Sequence, residues 1–222
     1  MPSSGVAVIC RWVGDSERWL AQFLEAVPSD PTIICVVIMG SAVRQRGHRR
    51  SDFDLLVVHR GKRPKIEAPI EIDIRFASIE LAHAQINNGQ EIVCWALKFG
   101  TAVYDPQGRW AHLREIWADR IPLPSATEAR RRGEETLARA TEMLEVGDDS
   151  AASDLALAAI TQFVRERLIK AGIFPASRPE LPEQLRRITE TDPLADALEE
   201  AMYGEAPTGE LLEVLLNAQD RI

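Results

Sequence analysis

A chain of 222 residues, 45% hydrophobic and 27% charged, holds enough apolar material for one large core or two small ones. No apolar run approaches the roughly 20 residues a membrane helix needs. A net charge of -8 argues against sequence-independent nucleic-acid binding, which depends on neutralising phosphates. The opening MPSSGVAVIC lacks a basic segment followed by a long apolar one, so the expected location is the cytoplasm. Cys10, Cys35 and Cys94 are odd in number and sit in apolar contexts, which fits buried free thiols and not a disulfide framework or a zinc site.

Residues Asp15 to Val27 place Trp19, Leu20, Phe23 and Leu24 at helical spacing, and Pro28 and Pro31 end that helix. Ile33 to Met39 is uninterrupted apolar sequence, the mark of a strand covered on both faces. It stops at Gly40-Ser41. Ala42 to Arg46 reads as a short helical turn and Gly47 to Arg50 as a polar loop. A second strand then runs over Phe53 to His59. In extended chain, residues i and i+2 point the same way, so Asp52 and Asp54 project together while Phe53 turns into the core. Adjacent carboxylates repel unless a cation sits between them, and a hard divalent ion such as Mg2+ is the usual solution. A Gly-Ser turn after a strand offers backbone N–H groups and a hydroxyl, which suit a polyphosphate.

Arg60 to Pro69 carries four basic residues and reads as a solvated connection. Ile70 to Phe76 then alternates strictly, with Ile70, Ile72, Ile74 and Phe76 on one face and Glu71, Asp73 and Arg75 on the other, as in a half-buried strand. Arg75 is placed to pair with an acid or a phosphate. Helices are expected over Ser78 to Asn87, with Ser78 as cap, and over Gln90 to Lys98, with Gly100 closing the second. Thr101 to Tyr104 is a short strand, Asp105 to Gly108 a turn, and Arg109 to Ala118 a helix. Trp95, Trp110 and Trp117 fall at helical spacings and read as core.

Ile121-Pro122-Leu123-Pro124 is the expected seam between a first domain, residues 1–120, and a second, residues 125–222. Net charge divides there too: 15 basic and 14 acidic residues before it, 11 and 20 from Ile121 onward. The second part is all helical in pattern: Thr127 to Val146 with Ser125 or Thr127 as cap, Ser150 or Ser153 to Ala171, then Glu183 to Thr189, Leu194 to Met202 and Thr208 to Ala218. Short connections between them describe a small bundle. Its acidic charge favours a cationic acceptor, although acids on the wet faces of helices account for it as well.

The order Gly40-Ser41, Arg44, Ser51-Asp52-x-Asp54-Leu55 resembles the GSxxRGxxxxxSDxDL signature of the nucleotidyltransferase fold, the superfamily of DNA polymerase beta and kanamycin nucleotidyltransferase. The spacing matches without a gap. One position departs: Gln45 stands where the signature has Gly, and a Gly follows at Gly47. The resemblance implies an α+β fold, a small mixed sheet flanked by helices, followed here by a C-terminal helical bundle. It implies a third carboxylate from a neighbouring strand, for which Asp73 is the match and Glu71 the fallback. Asp52, Asp54 and Asp73 would then hold two Mg2+ ions and serve catalysis, in the two-metal scheme of in-line displacement at phosphorus. Gly40, Ser41, Arg44 and Ser51 would bind the nucleotide, ATP or another NTP. The acceptor proton would pass to Asp73 or to a Glu of the helical part, with Glu134, Glu135, Glu142 and Glu145 unranked.

The implied activity is transfer of a nucleoside monophosphate, AMP from ATP, to a hydroxyl of a small molecule such as an antibiotic. Two alternatives stay open: adenylylation of a protein within a toxin–antitoxin module, and a nucleotide-binding module without turnover. The implied partners are the NTP, the hydroxyl-bearing acceptor, and a second copy or a small helical protein, with no membrane and with nucleic acid disfavoured by charge. HEPN-type nucleases carry an Arg followed a few residues on by His, and no His follows His112, so that activity is not supported.

Overall fold

The computed structural model describes residues 15–40, 53–117, 119–204 and 207–219. The chain divides into two compact units, Met1–Pro122 and Leu123–Ile222. The class is α+β, with a four-stranded mixed sheet and helices in the first unit and helices in the second. Among the described residues no helix is long and apolar enough to cross a membrane.

In the first unit, helix α1 (Asp15–Ala26) leads through a 3-10 turn, Val27–Ser29, into strand β1 (Ile33–Met39). Strands β2 (Phe53–His59) and β3 (Ile72–Ser78) come next, then helices α2 (Ala82–Asn87) and α3 (Glu91–Phe99), strand β4 (Thr101–Tyr104) and helix α4 (Arg109–Trp117). The sheet order is β3-β2-β1-β4. β1 runs antiparallel to both β2 and β4, and β2 runs parallel to β3. All seven residues of β1 are buried, as its continuous apolar sequence requires of a central strand. One face, bearing Val36, Ile38, Leu55, Val57 and Ile72, packs under Leu20 and Val27 at the α1 side. On the opposite face α3 and α4 contact β1. At the end of α3 a Cβ on Gly100 would meet Ala96 O at 2.5 Å and Val37 Cγ1 at 2.7 Å. Gly100 is extended, so close approach and not a left-handed turn is what requires glycine there.

β3 does not run over Ile70 to Phe76. It covers Ile72–Ser78, and Ile70 is 96% exposed. Ile72 N–H donates to Pro69 O at 3.0 Å, which closes a turn across the residues expected to start the strand. The ladder with β2 then continues to Ser78, opposite His59. Ser78 is therefore strand, and α2 starts at Ala82 with no side-chain cap. The Ser78 hydroxyl donates to Glu80 Oε2 at 2.5 Å instead. Trp110 is fully buried, as expected of a core residue. Trp117 donates its indole N–H to His83 Nδ1 at 3.1 Å. Cys35 and Cys94 are buried free thiols, and burial pushes Cys94 up to about 11. Cys10 lies outside the described residues.

In the second unit the described helices are α5 (Ala126–Glu145), α6 (Asp149–Lys170), α7 (Leu181–Arg186), α8 (Pro193–Tyr203) and α9 (Thr208–Gln219). Ser125 caps α5 by accepting from Glu128 N–H at 3.1 Å. Asp148, not Ser150 or Ser153, caps α6, accepting from Ala151 N–H at 3.0 Å. α5 and α6 form a close hairpin whose contacts run antiparallel: Gly133 meets the ring of Phe163, and Arg130 meets Glu166. A Cβ on Gly133 would be 3.1 Å from that ring, so a small residue sets the helix spacing. Leu137, Ile160, Leu168, Leu185, Leu198 and Leu215 belong to the core the five helices share.

Candidate functional site

Alternation along β2 and β3 sorts their side chains into two sets. Ladder partners share a face, so Asp54, Leu56 and Val58 lie with Asp73, Arg75 and Ala77 on the face opposite α1. Asp54 is the direct partner of Asp73 in the parallel ladder and of Met39 in the antiparallel one. On β2 burial rises along this face away from Asp54, to fully buried Leu56 and Val58; on β3 Arg75 is exposed between Asp73 and buried Ala77. The two carboxylates thus sit, with Arg75, on the part of this face that is partly open to solvent. Glu71, the fallback third acid, lies in the turn before β3 and is exposed, and among the described residues the ladder with β2 begins after it, at Ile72.

Gly40 follows β1 at the same end of the sheet. Its φ is +76°, a conformation L side chains rarely adopt. A Cβ there would stand 2.4 Å from Asp54 Oδ2. Glycine therefore serves two needs at once, turning the chain and leaving room for a carboxylate against the backbone. From sequence Gly40 is expected to bind phosphate through its backbone. The fit of Asp54 against it is not legible there, because it depends on the β1–β2 pairing.

Like charges on directly opposed strand residues are unfavourable. Two carboxylates about 5 Å apart repel by about 3 kcal/mol at an effective dielectric near 20. Arg75 answers part of this: its Nη2 lies 2.5 Å from Asp73 Oδ2, with the two side chains 53% and 41% exposed. An exposed pair of this kind offsets at most about 1 kcal/mol. The donor set is oxygen only, at an opening to solvent, which suits a hard divalent cation and not zinc or copper. Among the described residues no group of three or more His, Cys, Asp or Glu side chains gathers around one cation-sized gap. Asp52, the remaining acid of the expected trio, lies outside them, as do Ser41, Arg44 and Ser51 and the turn and loop read over 42–50.

In the helical unit the acids named as candidate bases are all exposed. Glu134 is held by Arg130 at 2.8 Å and Glu135 by Arg131 at 2.5 Å. A buried carboxylate that sequence alone does not single out is Glu166, 1% exposed, with Lys170 Nζ at 2.8 Å and Arg130 Nη1 at 3.7 Å. Its i,i+4 spacing to Lys170 is visible in sequence, but such spacing is common on wet helix faces.

No protein-family model matches the chain, and no curated protein matches it. Among solved structures, a nucleotidyltransferase-like protein from Exiguobacterium sibiricum 255-15 is similar, with a TM-score of 0.45 and 12% identity, covering 93% of this chain and 72% of that one. A likeness of that degree bears on neither substrate nor chemistry.

Proposed function

We propose that the first unit is a divalent-metal-dependent nucleotidyltransferase that moves AMP from ATP to a hydroxyl of a small molecule such as an antibiotic. The observation that carries this reading is the register of Asp54 against Asp73 on adjacent strands, on one face, with Gly40 packed against the Asp54 carboxylate. The motif running from Gly40 to Leu55 supports it from sequence. Asp54 and Asp73, with Asp52, would hold the cation. When bound, it supplies positive charge to the triphosphate and lowers the pKa of an acceptor hydroxyl.

The chain's own residues do the rest. Ser41 and Ser51 would donate hydrogen bonds to terminal phosphate oxygens, and Arg44 would neutralise charge that grows on the leaving pyrophosphate. The acceptor oxygen forms its bond to the α-phosphorus as the bond to pyrophosphate breaks, and its proton passes to the Asp73 carboxylate. The acidic balance of the helical unit favours a cationic acceptor, such as a polyamine-bearing alcohol.

The test is release of pyrophosphate from ATP with Mg2+ and a panel of hydroxyl compounds, alongside a search for the species that acquires labelled AMP. Asp54→Asn and Asp73→Asn are each expected to lose at least about a hundredfold in rate while keeping the native circular-dichroism spectrum. Wild-type rates in both variants would leave the reading without support.

A further inference from the structure

Arg75 is the cation on the acid face of the described β2–β3 ladder; its contact is exposed like those of Arg131 and Arg186 with their carboxylates, but it alone of these adjoins the Asp54–Asp73 pair. Its strand partner is Leu56, which is fully buried, so among the described residues of the β2–β3 ladder the charges that share its face are Asp73, one pleat away, and Asp54 beyond. The contact to Asp73 is short, 2.5 Å, yet both side chains are about half exposed. Arg167 and Asp192 make the opposite case. There the carboxylate is 2% exposed, and it also caps α8 by accepting from Leu194 N–H at 3.0 Å. Breaking that pair strands a buried charge, which makes it permanent. Breaking the Arg75–Asp73 pair exposes both groups to water at little cost, which makes it exchangeable.

We propose that Arg75 is a positioning residue with two settings. Without a cation it holds the Asp73 carboxylate and relieves the repulsion from Asp54. With a cation in place it lets go of Asp73 and turns its guanidinium to a phosphate of the nucleotide. This rests on the transferase reading above. Carboxylate and phosphate present the same pair of oxygens to a guanidinium fork, so one side chain serves both settings without new geometry. Arg75 is thereby a competitor for the metal site and a contributor to the nucleotide site. Those two roles predict effects of opposite sign on removal, which a merely structural residue does not.

The experiment uses the full chain, Mn2+ as probe and electron paramagnetic resonance to count free ion, without nucleotide. Arg75→Gln is expected to bind Mn2+ about two- to fivefold more tightly than wild type, the range set by an exposed ion pair. Arg75→Lys should restore affinity toward the wild-type value. In pyrophosphate release the same Arg75→Gln protein should show a KM for ATP raised about tenfold with a smaller change in kcat, partly rescued by Lys. Equal or weaker Mn2+ binding by Arg75→Gln overturns the exchange while leaving the transferase intact, provided Asp73→Asn and Asp54→Asn still abolish binding. If wild type shows no saturable Mn2+ binding that those two Asn variants remove, the transferase reading fails and the exchange fails with it.

Discussion

Gly40 is the residue on which the described half of the site turns. A side chain there meets two obstacles of different origin, a left-handed backbone and the Asp54 carboxylate 2.4 Å from any added Cβ. The backbone term alone costs about 1–2 kcal/mol for a non-glycine residue. Gly40→Ala is therefore expected to lose about 1–3 kcal/mol of stability in urea denaturation. It should also weaken Mn2+ binding, because relief of the clash moves the Asp54 carboxylate. An alanine variant that matches wild type in both measurements would show that the turn rearranges freely and that Asp54 is not held by it. That Asp54, Leu56 and Val58 share one face of β2 is legible in sequence because parity is local. That Asp73 and not Glu71 stands opposite Asp54 is not, since it depends on where the ladder begins.

At the scale of elements, α5 carries a ladder of charge that binds its first two turns. Glu128 accepts from Arg131 Nε at 2.9 Å and Nη2 at 2.7 Å and from Arg132 Nε at 2.8 Å. The Arg131 bond, then the Arg132 bond, lower its carboxyl from the ordinary 4.5 to about 2. A carboxylate whose folded pKa is depressed binds fewer protons in the folded state. Its contribution is full above about 4.5 and disappears as pH falls toward about 2. The group is solvent-exposed, so salt screens the effect. The urea midpoint of the protein is expected to fall over that window. Glu128→Gln should flatten the part of the slope it causes, more visibly at low ionic strength. An unchanged acid limb in the variant would assign the slope to other carboxylates. Here too local pattern and structure agree in part. The i,i+3 and i,i+4 spacing of Glu128 with Arg131 and Arg132 is visible in sequence, whereas the cap of α6 falls to Asp148 because the helix starts at Asp149.

At the scale of the molecule, the two units have separate cores. One lies between α1 and the sheet and the other among the five helices. Phe163, 2% exposed, fills the space beside Gly133 in the helical core. Phe163→Ala should destabilise that unit by about 3–5 kcal/mol, read as a lowered thermal transition. Because Asp54 and Asp73 lie on β2 and β3 of the first unit, Mn2+ affinity measured below that transition should stay at the wild-type value. A variant that loses metal binding along with helical stability would show that the two cores do not stand independently.

Composition and local pattern determined the strands β1 and β2 and the helical character of the described residues from Ala126 onward. These are properties of neighbours along the chain: period, side-chain size and the backbone limits of proline and glycine. The tertiary structure decided the extent of β3, its parallel pairing, the register that sets Asp73 opposite Asp54, the fit of Gly40 to Asp54, and the burial of Glu166. Each of those depends on a partner distant in sequence. A strand ends where its ladder ends, and a carboxylate is buried only by what packs over it, so neither can be read from the residues on either side.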